Sequence, residues 1–190
     1  MEIIIGKTAG FCFGVANAVN KTKKVLESNE ELYCLGELIH NRQVINDLAK
    51  DGLITIEDIK QAKENVIIRA HGEKKETYEI AKRLGINVID LTCPKVLNIH
   101  KMAENYANNG YYIFLIGSKK HPEIIGTISY CGKNSTIIES KEDIKIGLKS
   151  LEDSRIKKLV ILEQTTFGLE KFNELIKIIS EKLKDKQINI

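Results

Sequence analysis

Short runs of β-branched and aliphatic residues alternate along the chain with longer stretches of helical periodicity, and this alternation restricts the fold more than any other feature. The expected strands are Ile3–Ile5, Leu32–Leu35, Val66–Arg69, Val88–Leu91, Tyr112–Ile116, Thr136–Glu139 and Leu159–Glu163. Several are unbroken apolar runs, the pattern of strands covered on both faces. Between them, Val96, Ile99, Met102, Ala103 and Tyr106 form one helical stripe, and Phe172, Leu175, Ile176, Ile179 and Leu183 form another. Strands and helices in this order build α/β units around largely parallel sheets. A division near residue 95 leaves halves of similar strand count. The expected fold class is therefore α/β, with two similar small domains at 1–95 and 96–190, each a mostly parallel sheet flanked by helices.

Composition removes several function classes. At 190 residues and 43% hydrophobic, the chain has enough apolar material for a packed core. No run approaches the ~18 apolar residues that a bilayer span needs. The N-terminus lacks the basic segment of an export signal, so the expected location is cytoplasmic, with no membrane partner. The 29 basic and 26 acidic residues leave a net charge of +3, compatible with an anionic ligand but small for a nucleic-acid footprint. With no Trp and 6% aromatics, stacking platforms for bases are scarce, and no nucleic-acid partner is expected. Cys12, Cys34, Cys93 and Cys131 contain no CxxC pair, so they suggest neither a zinc knuckle nor, in a reducing compartment, a disulfide framework.

The polar chemistry gathers just after the strands. Cys12 lies between Gly10 and Gly14 after the first, and Gly36 to Arg42, with His40, follows the second. Ala70-His71-Gly72 follows the third and Thr92-Cys93-Pro94 the fourth. His121-Pro122-Glu123 comes after Tyr112–Ile116, and Gln164-Thr165-Thr166 after Leu159–Glu163. Open α/β sheets bind ligands beyond the carboxyl ends of their strands. Six such ends carrying two Cys, three His, a Glu and a Thr pair point to one shared site.

Local physics favours chemistry at several of these positions. Pro94 suits a first helical turn, which puts the Cys93 sulfur at a helix N-terminus where the dipole favours thiolate. Cys12 precedes a helix expected over Val15–Glu27, with the same consequence. His121 and Glu123 pack an acid/base pair into a helix start. Blander roles compete. Taken singly, His40 serves equally as a helix cap or a ligand, and Thr165 equally as an N-cap. Cys34 and Cys131 read as core thiols, His100 as structural, and Lys119-Lys120 as solvated surface.

Together these loops resemble those of the 4-hydroxy-3-methylbut-2-enyl diphosphate reductases, the iron–sulfur enzymes that end the non-mevalonate isoprenoid route. The resemblance rests on Gly10-Phe11-Cys12-Phe13-Gly14-Val15, His40-Asn41-Arg42, Ala70-His71-Gly72, Thr92-Cys93-Pro94, His121-Pro122-Glu123 with Gly126-Thr127, and Gln164-Thr165-Thr166. It implies a [4Fe–4S] cluster with Cys12 and Cys93 as two of its three cysteine ligands. It implies that His40, His71 and His121 hold the substrate diphosphate, that Glu123 relays protons, and that the Thr165 hydroxyl lies near the substrate alcohol. The implied reaction consumes two electrons and two protons, expels the allylic hydroxyl as water, and yields isopentenyl and dimethylallyl diphosphates. The implied electron donor is a carrier such as ferredoxin or flavodoxin. The family has three similar domains arranged as a trefoil, each giving one cysteine. These 190 residues match the first two, so the third ligand is missing and the isolated chain is expected to bind cluster poorly and turn over little. The principal alternative is a two-domain diphosphate-binding module without redox chemistry. A Cys/His hydrolase using Cys12 or Cys93 as nucleophile, and a noncatalytic structural fragment, are further alternatives.

Overall fold

The computed structural model describes residues 4, 9–28, 31–184, 186 and 188. Apart from Ile4, the strand expected at Ile3–Ile5 lies outside the described residues, as do Lys7 and Thr8. Contacts divide the chain into two compact units, Met1–Ala70 with Ala81–Cys93, and His71–Ile80 with Pro94–Ile190. A single cut near residue 95 would leave residues 71–80 in the first unit, whereas their contacts group them with the second. There the Lys75 backbone N–H donates to Ser129 Oγ at 2.9 Å and the Lys75 ammonium pairs with Glu104 at 2.5 Å.

The first unit contains α1 (Phe13–Leu26), β1 (Leu32–Leu35), α2 (Arg42–Lys50), β2 (Leu53–Ile56), β3 (Asn65–Ile68) and β4 (Asn87–Asp90), while α3 (Lys75–Leu84) straddles the division. Its sheet runs β2-β1-β3-β4 with every pairing parallel. Ala18 and Val19 of α1 and Leu48 of α2 close over Leu32, Cys34 and Ile67, burying one face of the sheet. Asn41 caps α2 by accepting the Val44 N–H at 3.2 Å. Strand β2 was not expected from the sequence. It is a four-residue edge strand whose middle pair, Ile54 and Thr55, faces outward while Leu53 and Ile56 are buried, so neither a continuous run nor a period of two marks it.

The second unit contains α4 (Pro94–Asn108), β5 (Tyr112–Ile116), α5 (Pro122–Thr127), β6 (Ser135–Ile138), α6 (Lys141–Ser154), β7 (Leu159–Glu163) and α7 (Leu169–Leu183). Its parallel sheet runs β6-β5-β7, with β5 central and fully buried. Alternation along β5 sorts two cores. Tyr112, Phe114 and Ile116 meet Ile144, Leu148 and Leu151 of α6 and Leu175, Ile179 and Leu183 of α7. Ile113 and Leu115 meet Ala103 of α4 and Ile124 of α5. The strand order reverses between β5 and β7, which opens a crevice beyond their carboxyl ends.

The α6 start also anchors that crevice. Ser140 and Asp143 form a reciprocal capping box, and Asp143 additionally accepts the Glu139 N–H at 3.0 Å and pairs with Lys119. Lys119 and Lys120 are both exposed, as their sequence context suggests, and the Lys119 ammonium in addition holds the Asp143 carboxylate. Removing the carboxylate in Asp143→Ala leaves two backbone donors of the cap without their acceptor. The expected loss is about 2 kcal/mol of unfolding free energy, read by urea denaturation at neutral pH.

Candidate functional site

In the first unit, the loops that leave the strand ends are stitched together by main-chain hydrogen bonds. The Ala70 N–H donates to the Leu38 carbonyl at 3.3 Å, and the Ala70 carbonyl accepts the Cys93 N–H at 2.9 Å. Cys93 thereby sits at the mouth of the sheet, immediately before α4. Cys12 is the N-cap residue of α1 and its carbonyl accepts the Ala16 N–H at 2.9 Å. Two residues on, Gly14 meets Cys93 directly: a Cβ on Gly14 would fall 2.7 Å from Cys93 Sγ. Only glycine admits that approach, and it brings the first turn of α1 against the second sulfur. Both thiols thus occupy helix starts, Cys12 exposed and Cys93 half-buried. His40 is exposed at the end of the loop after β1.

The other two thiols behave as the sequence suggests. Cys34 and Cys131 are buried, and burial pushes each up to about 12, Cys34 despite the opposing charge of Arg69. Neither supplies a thiolate at physiological pH. His100 is likewise buried, its ring stacked on Tyr130 with centroids 4.3 Å apart.

In the second unit, four of the expected residues gather at the crevice. His121 is the N-cap of α5, and its Nδ1 accepts the Glu123 N–H at 3.2 Å. That bond puts the proton of the neutral ring on Nε2. The His71 ring meets the His121 ring edge to face, with centroids 5.5 Å apart. Glu123 is 1% exposed, and both of its oxygens are engaged by one residue of the neighbouring loop. Thr165 donates its backbone N–H to Oε1 at 2.7 Å and its hydroxyl to Oε2 at 2.8 Å. Thr165 is thus a carboxylate partner rather than a cap, the N-cap of α7 being Gly168.

Burial pushes the Glu123 carboxyl up, and the Thr165 backbone N–H and hydroxyl pull it only part of the way back, so it holds its proton above the usual glutamate range. A carboxyl tuned upward in a crevice is suited to deliver a proton near neutrality. The loop that carries it is tied on both sides. Glu139 accepts the Ser118 hydroxyl at 2.9 Å and the Lys119 N–H at 3.1 Å, and the Gln164 side chain accepts the Ser118 N–H at 3.0 Å. Glu139 was not singled out from the sequence, and Gln164 entered there only as the first residue of the Gln164-Thr165-Thr166 motif, although both stand at strand ends, where the other polar groups were found.

The sequence model of the family described as LytB protein matches residues 3–190. The chain belongs to the LytB family. Among its relatives, the 4-hydroxy-3-methylbut-2-enyl diphosphate reductase of Alkaliphilus oremlandii is 36% identical over 185 residues, covering 96% of this chain and 64% of that protein. The chain thus spans somewhat less than two thirds of that relative's length. The structure of the Plasmodium falciparum E-1-hydroxy-2-methyl-but-2-enyl-4-diphosphate reductase superposes with a TM-score of 0.86 at 29% identity, over 96% of this chain and 57% of that one. A second structure, of (E)-4-hydroxy-3-methyl-but-2-enyl diphosphate reductase, the terminal enzyme of the non-mevalonate pathway, gives 0.80 at 38% identity, over 94% and 63%. The α/β architecture with parallel sheets is that of this LytB family. Among the described residues, no helix is long and apolar enough to cross a membrane.

The raised Glu123 carboxyl has a consequence for folding. The folded LytB chain holds this proton more tightly than the unfolded chain, so the contribution is fully present below the unfolded value of about 4.5 and is lost as pH rises through the folded value. Glu123→Gln carries no such charge. Its stability relative to the parent is expected to rise through that window and then level off, as read by urea midpoints across a pH series.

Proposed function

We propose that this LytB chain carries the substrate-diphosphate and proton-delivery groups, and two of the cluster ligands, of a 4-hydroxy-3-methylbut-2-enyl diphosphate reductase. The observation that carries this reading is the buried Glu123 carboxyl, held by both donors of Thr165 beside His121, which caps α5 and meets His71. His71 and His121 offer N–H donors to diphosphate oxygens, the charge-assisted bonds that phosphates favour. His40, exposed at the strand end of the first unit, is assigned to the same ligand. Glu123 gives its proton toward the allylic hydroxyl, and the Thr165 hydroxyl orients that group and bridges the transfer. Overall two electrons and two protons enter, the carbon–oxygen bond breaks, and water leaves with formation of isopentenyl or dimethylallyl diphosphate.

Cys12 and Cys93 fit an iron–sulfur cluster. Both lie at helix starts, and the absent Cβ of Gly14 leaves room beside the Cys93 sulfur. When bound, such a cluster supplies reducing equivalents and a Lewis-acidic iron. Cys34 and Cys131, buried with their protons held tightly, do not fit that role. The electron donor is proposed to be a small carrier of the ferredoxin or flavodoxin type, and the compartment the cytoplasm.

Two measurements test the proposal. In calorimetric titration with the allylic diphosphate, His71→Asn and His121→Asn are each expected to weaken binding about tenfold, while Glu123→Gln leaves it nearly unchanged. Binding indifferent to both histidines overturns the site assignment. In anaerobic reconstitution with iron and sulfide, the 190-residue chain is expected to capture cluster incompletely. Cys12→Ser, Cys93→Ser and Gly14→Ala abolish that capture, whereas Cys34→Ala and Cys131→Ala do not. A colourless protein that still binds the diphosphate marks a binding module without redox chemistry.

A further inference from the structure

Gln164 follows β7 and is 6% exposed, and all four of its polar groups are engaged. Its backbone N–H donates to the Ile116 carbonyl at 2.8 Å and its carbonyl accepts the Phe167 N–H at 3.0 Å. Its side-chain Oε1 accepts the Ser118 N–H at 3.0 Å, and its Nε2 donates to Thr166 Oγ1 at 2.9 Å. The carboxamide thus joins the loop after β5 to the loop after β7, across the crevice where the strand order reverses. Gly117 permits the approach, since a Cβ there would fall 3.0 Å from Gln164 Cβ and 2.3 Å from Ile124 Cδ1.

Both ends of the carboxamide lead to Glu123. On one side, the Ser118 carbonyl accepts the His121 N–H at 2.9 Å, and His121 Nδ1 accepts the Glu123 N–H at 3.2 Å. On the other, Thr166 adjoins Thr165, whose two donors hold the Glu123 oxygens. The bonds and the intervening chain close a ring through Glu123, Thr165, Thr166, Gln164, Ser118 and His121. We propose that Gln164 is a positioning residue whose carboxamide closes this ring and thereby keeps both Thr165 donors aimed at the Glu123 carboxyl. An amide suits the position because it offers one acceptor and one donor at opposite corners of a planar group. The catalytic consequence rests on the reading of Glu123 as the proton-delivering group, but the geometry does not, and it is tested without substrate or cluster.

The probe is the titration of Glu123, followed by the carbon-13 resonance of its labelled carboxyl in the 190-residue chain, together with the Thr165 amide resonance. Thr165 donates to the ionised form, so loosening it moves the Glu123 midpoint upward. Gln164→Met keeps the volume and removes both side-chain contacts. It is expected to raise the midpoint and to uncouple the Thr165 amide from the Glu123 titration. Thr166→Val, at an exposed position, removes only the second contact and is expected to move both signals in the same direction by less. In the double variant the midpoint moves no further than in Gln164→Met, because one ring has been opened twice. An unmoved midpoint in folded Gln164→Met, or in Thr166→Val should Gln164→Met not fold, overturns the proposal. So does a raised midpoint with the Thr165 amide still coupled. If the ring behaves as expected but the chain ignores the diphosphate, the functional reading fails and the positioning role stands.

Discussion

Parallel pairing is the constraint from which the rest of this chain follows. A strand that pairs in parallel must return through a crossover, so successive strands of one sheet point the same way and their trailing loops emerge at one edge. In both units the strands are four or five residues long and include fully buried members such as β1 and β5, leaving no surface along their length for polar chemistry. Charged side chains are therefore absent from β1 and β5 and are collected just beyond them. Cys93 and the Ala70 turn that holds it obey this rule in the first unit, and Glu123 and Thr165 obey it in the second.

The same edge produces opposite electrostatic outcomes from one residue class. Glu123 is enclosed and meets two donors from Thr165, and burial wins, leaving the group readily protonated. Glu139 receives the Lys119 N–H and the Ser118 hydroxyl near solvent, and these hold it below the usual carboxylate range. For Asp143, burial pushes upward but is outweighed by the Lys119 ammonium, the Glu139 N–H and the Ser140 hydroxyl. One carboxyl biased toward its protonated form and two biased toward ionisation thus stand within one loop system, separated by water access and donor supply. The two ionised groups fix the loop that leads into Glu123.

Much of this was legible in the sequence because the signals were physical and local. Unbroken apolar runs gave β1, β5 and β7 at their observed bounds, and Pro94 and Pro122 marked helix starts. The polar residues after the strands named the groups that gather in each unit. What the sequence hid was long-range. Strand β2 carries no period of its own because an edge strand is half solvated. The segment 71–80 joins the second unit through Ser129 and Glu104, partners far away in sequence. The tie between Thr165 and Glu123 spans 42 positions, and no spacing rule reaches that far. Lys119 is exposed as its context suggests, but its pairing with Asp143 was hidden because that partner lies 24 positions on, in α6.

Cys34 in the middle of β1 and Cys131 against the α4–α5 core differ from Cys12 and Cys93 in one respect with a practical edge: water cannot reach them. A thiol-alkylating reagent meeting the folded chain therefore finds two cysteines rather than four, Cys12 and Cys93. A maleimide dye would report on these two alone, and the count of modified sulfurs would rise to four only as the sheets come apart, giving the molecule a built-in gauge of its own unfolding.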